Sequence, residues 1–207
     1  MKRPITIFLM TILALRVQCQ EIKFLYDYDK SDIRDAFTLL GVSNFKYQMP
    51  SEFRGCYFDL IIKEYYEGKE ISSVSQAKKL ISSRQVLLWK KETEEYILKI
   101  QSAKLNDTVE TFNARMPGIG LRGRKLILKL PRHEYGWETL INDSTKLILD
   151  TEIPILTFAS DPSNESRPNI AVYCELSGSA QEYKYKDWYD KFKVKHYFVL
   201  LVKVNKN

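Results

Sequence analysis

The stretch His196-Tyr197-Phe198-Val199-Leu200-Leu201-Val202-Lys203-Val204 lies almost at the end of the 207-residue chain and decides its fold. It is rich in residues that favour β-strands, and successive side chains of a strand point to opposite faces. One face would carry Tyr197, Val199 and Leu201, and the other Phe198, Leu200, Val202 and Val204. A strand that is apolar on both faces must be covered on both, so we expect it to lie inside a sheet.

Alternating apolar and polar residues predict further strands along the chain. Residues 42–48 and 96–100 alternate in this way, and residues 56–74 contain two runs joined by the tight turn Glu67-Gly68-Lys69. Many short strands with one clear helix predict a mainly β fold, an antiparallel β-sandwich or open barrel. We expect residues 20–207 to form a single mainly-β domain, with two small β units divided near residue 116 as the alternative.

One short amphipathic helix is predicted near the N-terminus, over residues 32–40. Ser31 is a good N-cap and Gly41 stands where a helix commonly ends. Between them, the apolar residues have the i, i+3, i+4, i+7 spacing of one helix face: Ile33, Ala36, Phe37 and Leu40. A helix this short is not stable alone, so we expect it to pack its apolar stripe on a sheet.

Residues 1–19 have the layout of a secretory signal peptide. Lys2 and Arg3 precede an apolar run over residues 5–15, and Val17-Gln18-Cys19 resembles a cleavage site. The run is about half the length of a transmembrane helix, so we expect no transmembrane segment. The sequence therefore predicts export to the periplasm, the outer surface or the medium; lipidation of Cys19 remains an alternative.

Net charge argues against a nucleic-acid partner. Residues 1–19 hold three basic residues and no acid, so cleavage lowers the formal charge from +6 to +3. Such a small excess is not the footprint of a nucleic-acid-binding protein. Cys56 and Cys174 lie in separate strand-like runs, where they would form either a disulfide or two buried free thiols. Together with the only two histidines, His133 and His196, they do not have the spacing of a metal site.

A glycine-rich stretch, residues 118–123, spells G-x-G-x-x-G. A dinucleotide site needs a helix after this motif, but the pattern that follows is that of a strand, so we expect no cofactor. The glycines can instead present backbone N–H groups to an anion, in a loop whose basic residues would hold it; the alternative is a solvated basic loop. The basic residues are Arg115, Arg122, Arg124 and Lys125.

The segment before the last strand is rich in aromatic residues interleaved with lysines. Exposed, they would form a surface that recognises a glycan or an anionic protein surface; packed down, they would cap one end of the sandwich. The candidate binding residues here are Tyr183, Tyr185, Trp188 and Tyr189.

No catalytic constellation is evident, because the two histidines suggest no arrangement of nucleophile, base and orienting group. We therefore expect a non-catalytic binding or interaction module. The rival hypothesis is an envelope or secreted glycan hydrolase, with a carboxyl pair in a cleft lined by Trp137 or Trp188.

Several segments resemble a domain-of-unknown-function family of secreted Bacteroides proteins. They are AFTLLGV at 36–42, FKY at 45–47, EYYEGK at 64–69, LLW at 87–89, MPGIG at 116–120, IPIL at 153–156, AS at 159–160, YCE at 173–175 and KHYFV at 195–199. The resemblance implies an exported protein of the bacterial envelope or exterior with no established catalytic activity, and it assigns no functional residues.

Overall fold

A computed structural model describes residues 20–25, 36–37, 39–53, 56–75, 97–116, 119–142, 145–161 and 185–205. The strands are β1 (Gln20–Glu21), β2 (Lys23–Leu25), β3 (Val42–Gln48), β4 (Tyr57–Tyr66), β5 (Lys69–Ser75), β6 (Ile97–Asn106), β7 (Val109–Met116), β8 (Ile119–Ile127), β9 (Tyr135–Thr139), β10 (Lys146–Leu147), β11 (Glu152–Ser160) and β12 (His196–Asn205). Short 3-10 turns span Ser51–Phe53, Arg132–Glu134 and Tyr185–Asp187, and helix α1 spans Trp188–Phe192.

The strands form two five-stranded sheets and one short pair. Sheet I has the order β5-β4-β12-β11-β9, sheet II has the order β2-β3-β6-β7-β8, and β1 pairs with β10. Every pairing between these strands is antiparallel. The prediction of a mainly antiparallel β fold is therefore confirmed, and the described strands form two sheets that do not close into a barrel.

The last strand lies in the middle of sheet I, as its sequence predicts. β12 pairs with β4 on one side and with β11 on the other. Its two faces belong to different apolar clusters: Phe198 lies in the core between the sheets, and Val199 lies in a second cluster on the outer face. Both faces are therefore covered.

Aromatic packing joins the two sheets. The Trp137 ring of sheet I stacks on Phe158 at 4.5 Å between ring centroids and on Phe112 of sheet II at 5.9 Å. The Tyr47 hydroxyl crosses from sheet II to donate a hydrogen bond to the carbonyl of Ile155, 3.2 Å away. Because this hydroxyl is buried, its pKa is raised. The interior between the sheets is thus the main core.

The predicted hairpin between β4 and β5 is confirmed. Its turn residues Glu67 and Gly68 have φ of 48° and 78°. Two successive positive φ values are those of the type I′ turn, whose twist matches that of the flanking strands.

The predicted N-terminal helix is not among the complete elements. Within the described residues the one α-helix with defined bounds is α1, near the C-terminal end. Ala36, Phe37 and Leu39 have helical backbone, while the start of the predicted helix lies outside the described residues. Leu39 and Leu40 are 89% and 72% exposed, so the second of them does not pack on a sheet as predicted. The C-terminal helix was missed because its five residues are too few to display a helical period.

Three further predictions concern residues outside the described part of the chain. They are the signal peptide at residues 1–19, the strand at residues 86–89, and the strand at residues 170–176 that contains Cys174. The cysteine alternatives therefore stay open.

Candidate functional site

The predicted aromatic surface is largely packed against sheet I. Tyr183 lies outside the described residues. Trp188 is 0% exposed, and its ring lies 5.3 Å from that of Tyr197 on the outer face of sheet I. This corrects the prediction for Trp188: a buried indole cannot serve as a stacking platform for a ligand.

Tyr185 and Tyr189 are half-buried beside this tryptophan. The Tyr185 ring meets Tyr65 edge-on at 5.7 Å, and its carbonyl accepts a hydrogen bond from the Tyr197 hydroxyl at 2.8 Å. The Tyr189 ring covers the hairpin turn so closely that a Cβ on Gly68 would lie 3.3 Å from its Cδ1. Both residues hold α1 against sheet I and keep only part of each ring accessible.

Two carboxylates on the outer face of sheet I are held by structural partners. Lys63 Nζ lies 2.5 Å from Glu152 Oε2, and the Tyr65 hydroxyl donates to Glu70 Oε2 at 2.7 Å. Burial by itself lowers the pKa of Lys63, but the hydrogen bond to Glu152 and nearby negative charges raise it above its ordinary value. Lys63 therefore stays charged and bound to Glu152.

A polar network lies inside the sandwich, where β12 begins. His196 is 0% exposed; its Nε2 lies 3.1 Å from Glu64 Oε1 on β4, and its Nδ1 is hydrogen-bonded to the Tyr135 hydroxyl. The backbone N–H of Leu130 donates to the Tyr135 oxygen at 3.3 Å, so the hydroxyl donates to His196 Nδ1 and Nε2–H donates to Glu64. Burial, against opposing backbone hydrogen bonds, raises the pKa of Tyr135 to about 12.

This network joins a hydroxyl, an imidazole and a carboxylate by hydrogen bonds, an arrangement that the sequence alone did not reveal. Two signals pointed to it: Glu64 interrupts the apolar face of β4, and His196 opens an interior strand. Tyr135 carried no signal of its own. Tyr135 is only 5% exposed, and the network ties β4, β9 and β12 together.

A second buried charge lies nearby on the inner face of sheet II. Glu110 is 0% exposed and accepts a hydrogen bond from Arg132 Nε at 2.6 Å. The Arg132 guanidinium also donates to the carbonyl of Tyr135 at 2.9 Å and lies 4.7 Å from the centre of the Phe158 ring. This ion pair fixes the segment that crosses from sheet II to sheet I.

The predicted basic loop is a β-hairpin. Arg115 lies in β7, and the other three basic residues, Arg122, Arg124 and Lys125, lie in β8. The described part of the glycine-rich stretch therefore continues a sheet and forms no anion-binding loop. Gly118 lies outside the described residues. Sequence reasoning took the glycines as loop formers. Pairing with β7 supplies the backbone partners that make this stretch a strand.

The basic residues of the hairpin point to different faces of sheet II. Lys125 pairs with Thr111, and Arg124 pairs with the core residue Phe112. Cross-strand partners share a face, so Lys125 lies on the outer face and Arg124 on the inner one. Arg122 is exposed beside the β-bulge of this hairpin.

The register of sheet II brings three basic residues into one cross-strand row. Lys46 of β3 pairs with Lys99 of β6, which pairs with Arg115 of β7. Two residues along each strand, the same register forms a row of amides from Asn44, Gln101 and Asn113. We call these two rows, together with Lys125, the basic face. Arg115 and Lys125 are exposed and the others half-buried.

The strands of sheet II carry no acidic residue of their own on this face. The only acidic residue in their five sequences is Glu110, which is buried on the inner face. Lys46 and Lys99 were not predicted as site residues, because strand pairing over this sequence distance leaves no mark in a local pattern.

The described residues contain neither a candidate metal site nor a candidate membrane-spanning helix. No group of three or more His, Cys, Asp or Glu side chains in them could hold a metal ion. None of the helices found there combines the length and the apolar character needed to cross a membrane.

Comparison with known proteins gives one match. The family model described as domain of unknown function (DUF5041) matches residues 14–206. No curated protein and no solved structure matches the chain.

Proposed function

The chain belongs to the domain-of-unknown-function family DUF5041, and we propose that it is an exported, non-catalytic module that binds an anionic partner on the basic face. The proposal combines the charge arrangement of sheet II with the signal-peptide pattern of residues 1–19. Its place of action would be the bacterial envelope or exterior, in keeping with the resemblance to secreted Bacteroides proteins.

The row Lys46–Lys99–Arg115 is the observation that carries the proposal. Like charges directly opposite each other on neighbouring strands destabilise a sheet. Adjacent strands are about 4.8 Å apart, so the row concentrates positive charge along a short line. An anion bound at the exposed end of the basic face, beside Arg115 and Lys125, would gain from several cations at once.

The alternatives on sheet I have less support. The rival hydrolase hypothesis requires a tryptophan-lined cleft with a converging carboxyl pair, but Trp188 is buried and Trp137 belongs to the aromatic stack of the core. Glu70 and Glu152 are each bound to a neighbouring side chain. Tyr185 and Tyr189, both half-buried, offer a second and smaller contact area on that side of the molecule.

Neutralisation of the basic face tests the proposal. An exposed charge contact contributes up to about 1 kcal/mol, so a double variant Lys99→Gln/Arg115→Gln should bind dextran sulfate roughly tenfold more weakly. Isothermal titration calorimetry at two salt concentrations measures this, and the salt dependence should also decrease.

Lys186→Gln/Lys195→Gln is the matched control, because it also removes two positive charges, and both lysines are exposed on the sheet I side of the molecule, off the basic face. Equal loss of affinity in the control and the double variant would mean that binding depends on overall charge, and would refute a site on sheet II.

Export is tested separately. Intact mass of protein recovered from the cell envelope or medium should begin at Gln20, whereas a full-length chain recovered from the cytosol would contradict export.

A further inference from the structure

We infer that the anionic partner is an anionic lipid surface, which one end of sheet II enters with exposed apolar side chains. This inference rests on the proposed function and specifies its partner. Among the described residues, six leucine and isoleucine side chains are at least 42% exposed, and four of the six lie at this end of the sheet. We call these four the apolar tip: Leu39, Leu40, Leu105 and Ile127.

The two leucines before β3 are displayed by a turn of helix that ends at Gly41. The N–H of Leu40 donates to the carbonyl of Ala36 at 3.1 Å. Gly41 has a φ of 64°, the left-handed conformation in which helices commonly end, and β3 begins at the next residue. The side chains of Leu39 and Leu40, 89% and 72% exposed, therefore protrude from a backbone that is attached to sheet II.

Strand pairing brings the other two members of the tip to the same end of sheet II. A Cβ on Gly41 would lie 3.9 Å from the Cβ of Lys104, the residue that precedes Leu105 in β6. Ile127 of β8 pairs with Val109, which follows the turn between β6 and β7. The tip is thus one surface, built from β3, the β6–β7 turn and the end of β8.

Lysines flank the apolar tip. Lys125 and Lys129 are exposed on either side of Ile127 in the chain, and neither is bound to an acid in the part of the chain that the structure describes. Asp107, in the adjoining turn, is bound to Lys104, with 2.5 Å between Oδ1 and Nζ, so these two charges offset each other. The surroundings of the tip are therefore positive. Lys125 also belongs to the basic face, so an anionic surface that meets the tip meets this face as well.

A lipid surface fits this arrangement better than a second protein does. Anionic lipids present charged headgroups above acyl chains, so apolar side chains can enter while the neighbouring lysines stay at the headgroups. A second copy of the chain would bring the same lysines against each other, which is unfavourable. A protein pocket would have to match side chains that protrude, whereas a fluid bilayer adapts to them.

The test measures binding to vesicles by sedimentation, with dextran sulfate as the soluble polyanion. Vesicles of equal parts phosphatidylglycerol and phosphatidylcholine should bind the wild-type protein about tenfold more tightly than vesicles of phosphatidylcholine alone. The variant Leu40→Ser/Leu105→Ser should weaken binding to the anionic vesicles by roughly tenfold, because it removes apolar area that would leave water. Its affinity for dextran sulfate should stay within about twofold, since no charge is changed.

Ile71→Ser/Ile148→Ser is the matched control. It also removes two exposed apolar side chains, 48% and 42% exposed, but from outside sheet II: Ile71 lies in β5, and Ile148 follows β10. Its binding to the anionic vesicles should stay within about twofold of the wild-type value. If circular dichroism shows that Leu40→Ser/Leu105→Ser is unfolded, Leu39→Ser/Leu40→Ser replaces it, because neither of its positions lies in a strand.

Two results would overturn the lipid assignment while leaving anion binding intact. One is binding of dextran sulfate without binding of the anionic vesicles, and the other is equal weakening of vesicle binding by the tip variant and the control. Failure to bind either dextran sulfate or the anionic vesicles would remove the proposed function itself.

Discussion

The two sheets are built from similar strands but differ in what covers them. Sheet I has apolar clusters on both faces, one in the core with sheet II and one beneath α1. Sheet II contributes only its inner face to the core, and its outer face carries the basic and amide rows.

The difference separates stability from recognition. A sheet buried on both sides is committed to packing, so substitutions in it act mainly on folding. A sheet with a polar outer face can accept charged side chains there, even in an unfavourable register, because its other face provides the stabilisation. Four substitutions test this division, from the largest expected effect to the smallest.

Trp188→Ala should lower the free energy of unfolding the most, by roughly 3–5 kcal/mol, because it leaves a cavity on the outer face of sheet I. Urea denaturation followed by circular dichroism measures this. Trp188→Phe is the control: it retains most of the packing and removes an indole N–H that has no acceptor in the structure, so it should cost clearly less. A loss below about 1 kcal/mol for Trp188→Ala would show that the outer cluster is not a core.

Glu110→Ala should cost roughly 3 kcal/mol, because it leaves the partly buried Arg132 guanidinium without its carboxylate. The double variant Glu110→Ala/Arg132→Met should recover part of this loss, since it removes the uncompensated charge. Thermal unfolding of both proteins provides the measurement. No recovery in the double variant would indicate that Arg132 contributes chiefly through its contact with Phe158.

Tyr135→Phe should cost roughly 1–2 kcal/mol near neutral pH, because His196 and the Leu130 N–H lose their shared partner. The folded protein raises the pKa of Tyr135 from 10.0 to about 12. The corresponding stability is present below pH 10 and is lost as the pH rises to about 12, since the unfolded chain gives up its proton first.

The variant cannot lose this contribution, so its urea midpoint should fall less steeply than that of the wild-type protein across the same alkaline range. Parallel pH profiles for the two proteins would contradict the raised pKa of Tyr135.

Lys99→Glu should have the smallest effect on stability and the opposite sign. It turns two like-charge contacts of the basic row into opposite-charge contacts, so it should stabilise the fold by about 0.5 kcal/mol at low salt. The gain should disappear in high salt, where exposed charges are screened. The same variant should bind dextran sulfate more weakly than the wild-type protein. A loss of stability at low salt would mean that the row is not repulsive.

Local sequence patterns correctly predicted the structural features that depend on residues close together in the chain. The double-faced apolar pattern identified β12 as an interior strand, and the run at residues 56–74 identified the hairpin. The amphipathic pattern near Leu40 predicted a packed apolar stripe, but the structure leaves that leucine exposed. Period and turn chemistry are local, whereas burial depends on the rest of the fold.

The candidate site was only partly predictable for the same reason. Arg115 and Lys125 were identified as basic residues near glycines, yet their common face depends on the pairing of β6, β7 and β8. Lys46 joins the row only because β3 pairs with β6 in one particular register. The sequence left exposure and packing of Trp188 open, because an aromatic residue beside lysines looks the same whether its ring points outward or inward.

The central place of β12 also determines when the protein can fold. During synthesis β4 and β11 emerge from the ribosome before the strand that separates them in sheet I, and the Glu64–His196 contact joins residues 132 positions apart. Sheet I therefore cannot assemble until β12 has been made, and such long-range pairing is slow. A chain truncated before β12 should expose the edges of β4 and β11 that β12 otherwise covers, and should aggregate.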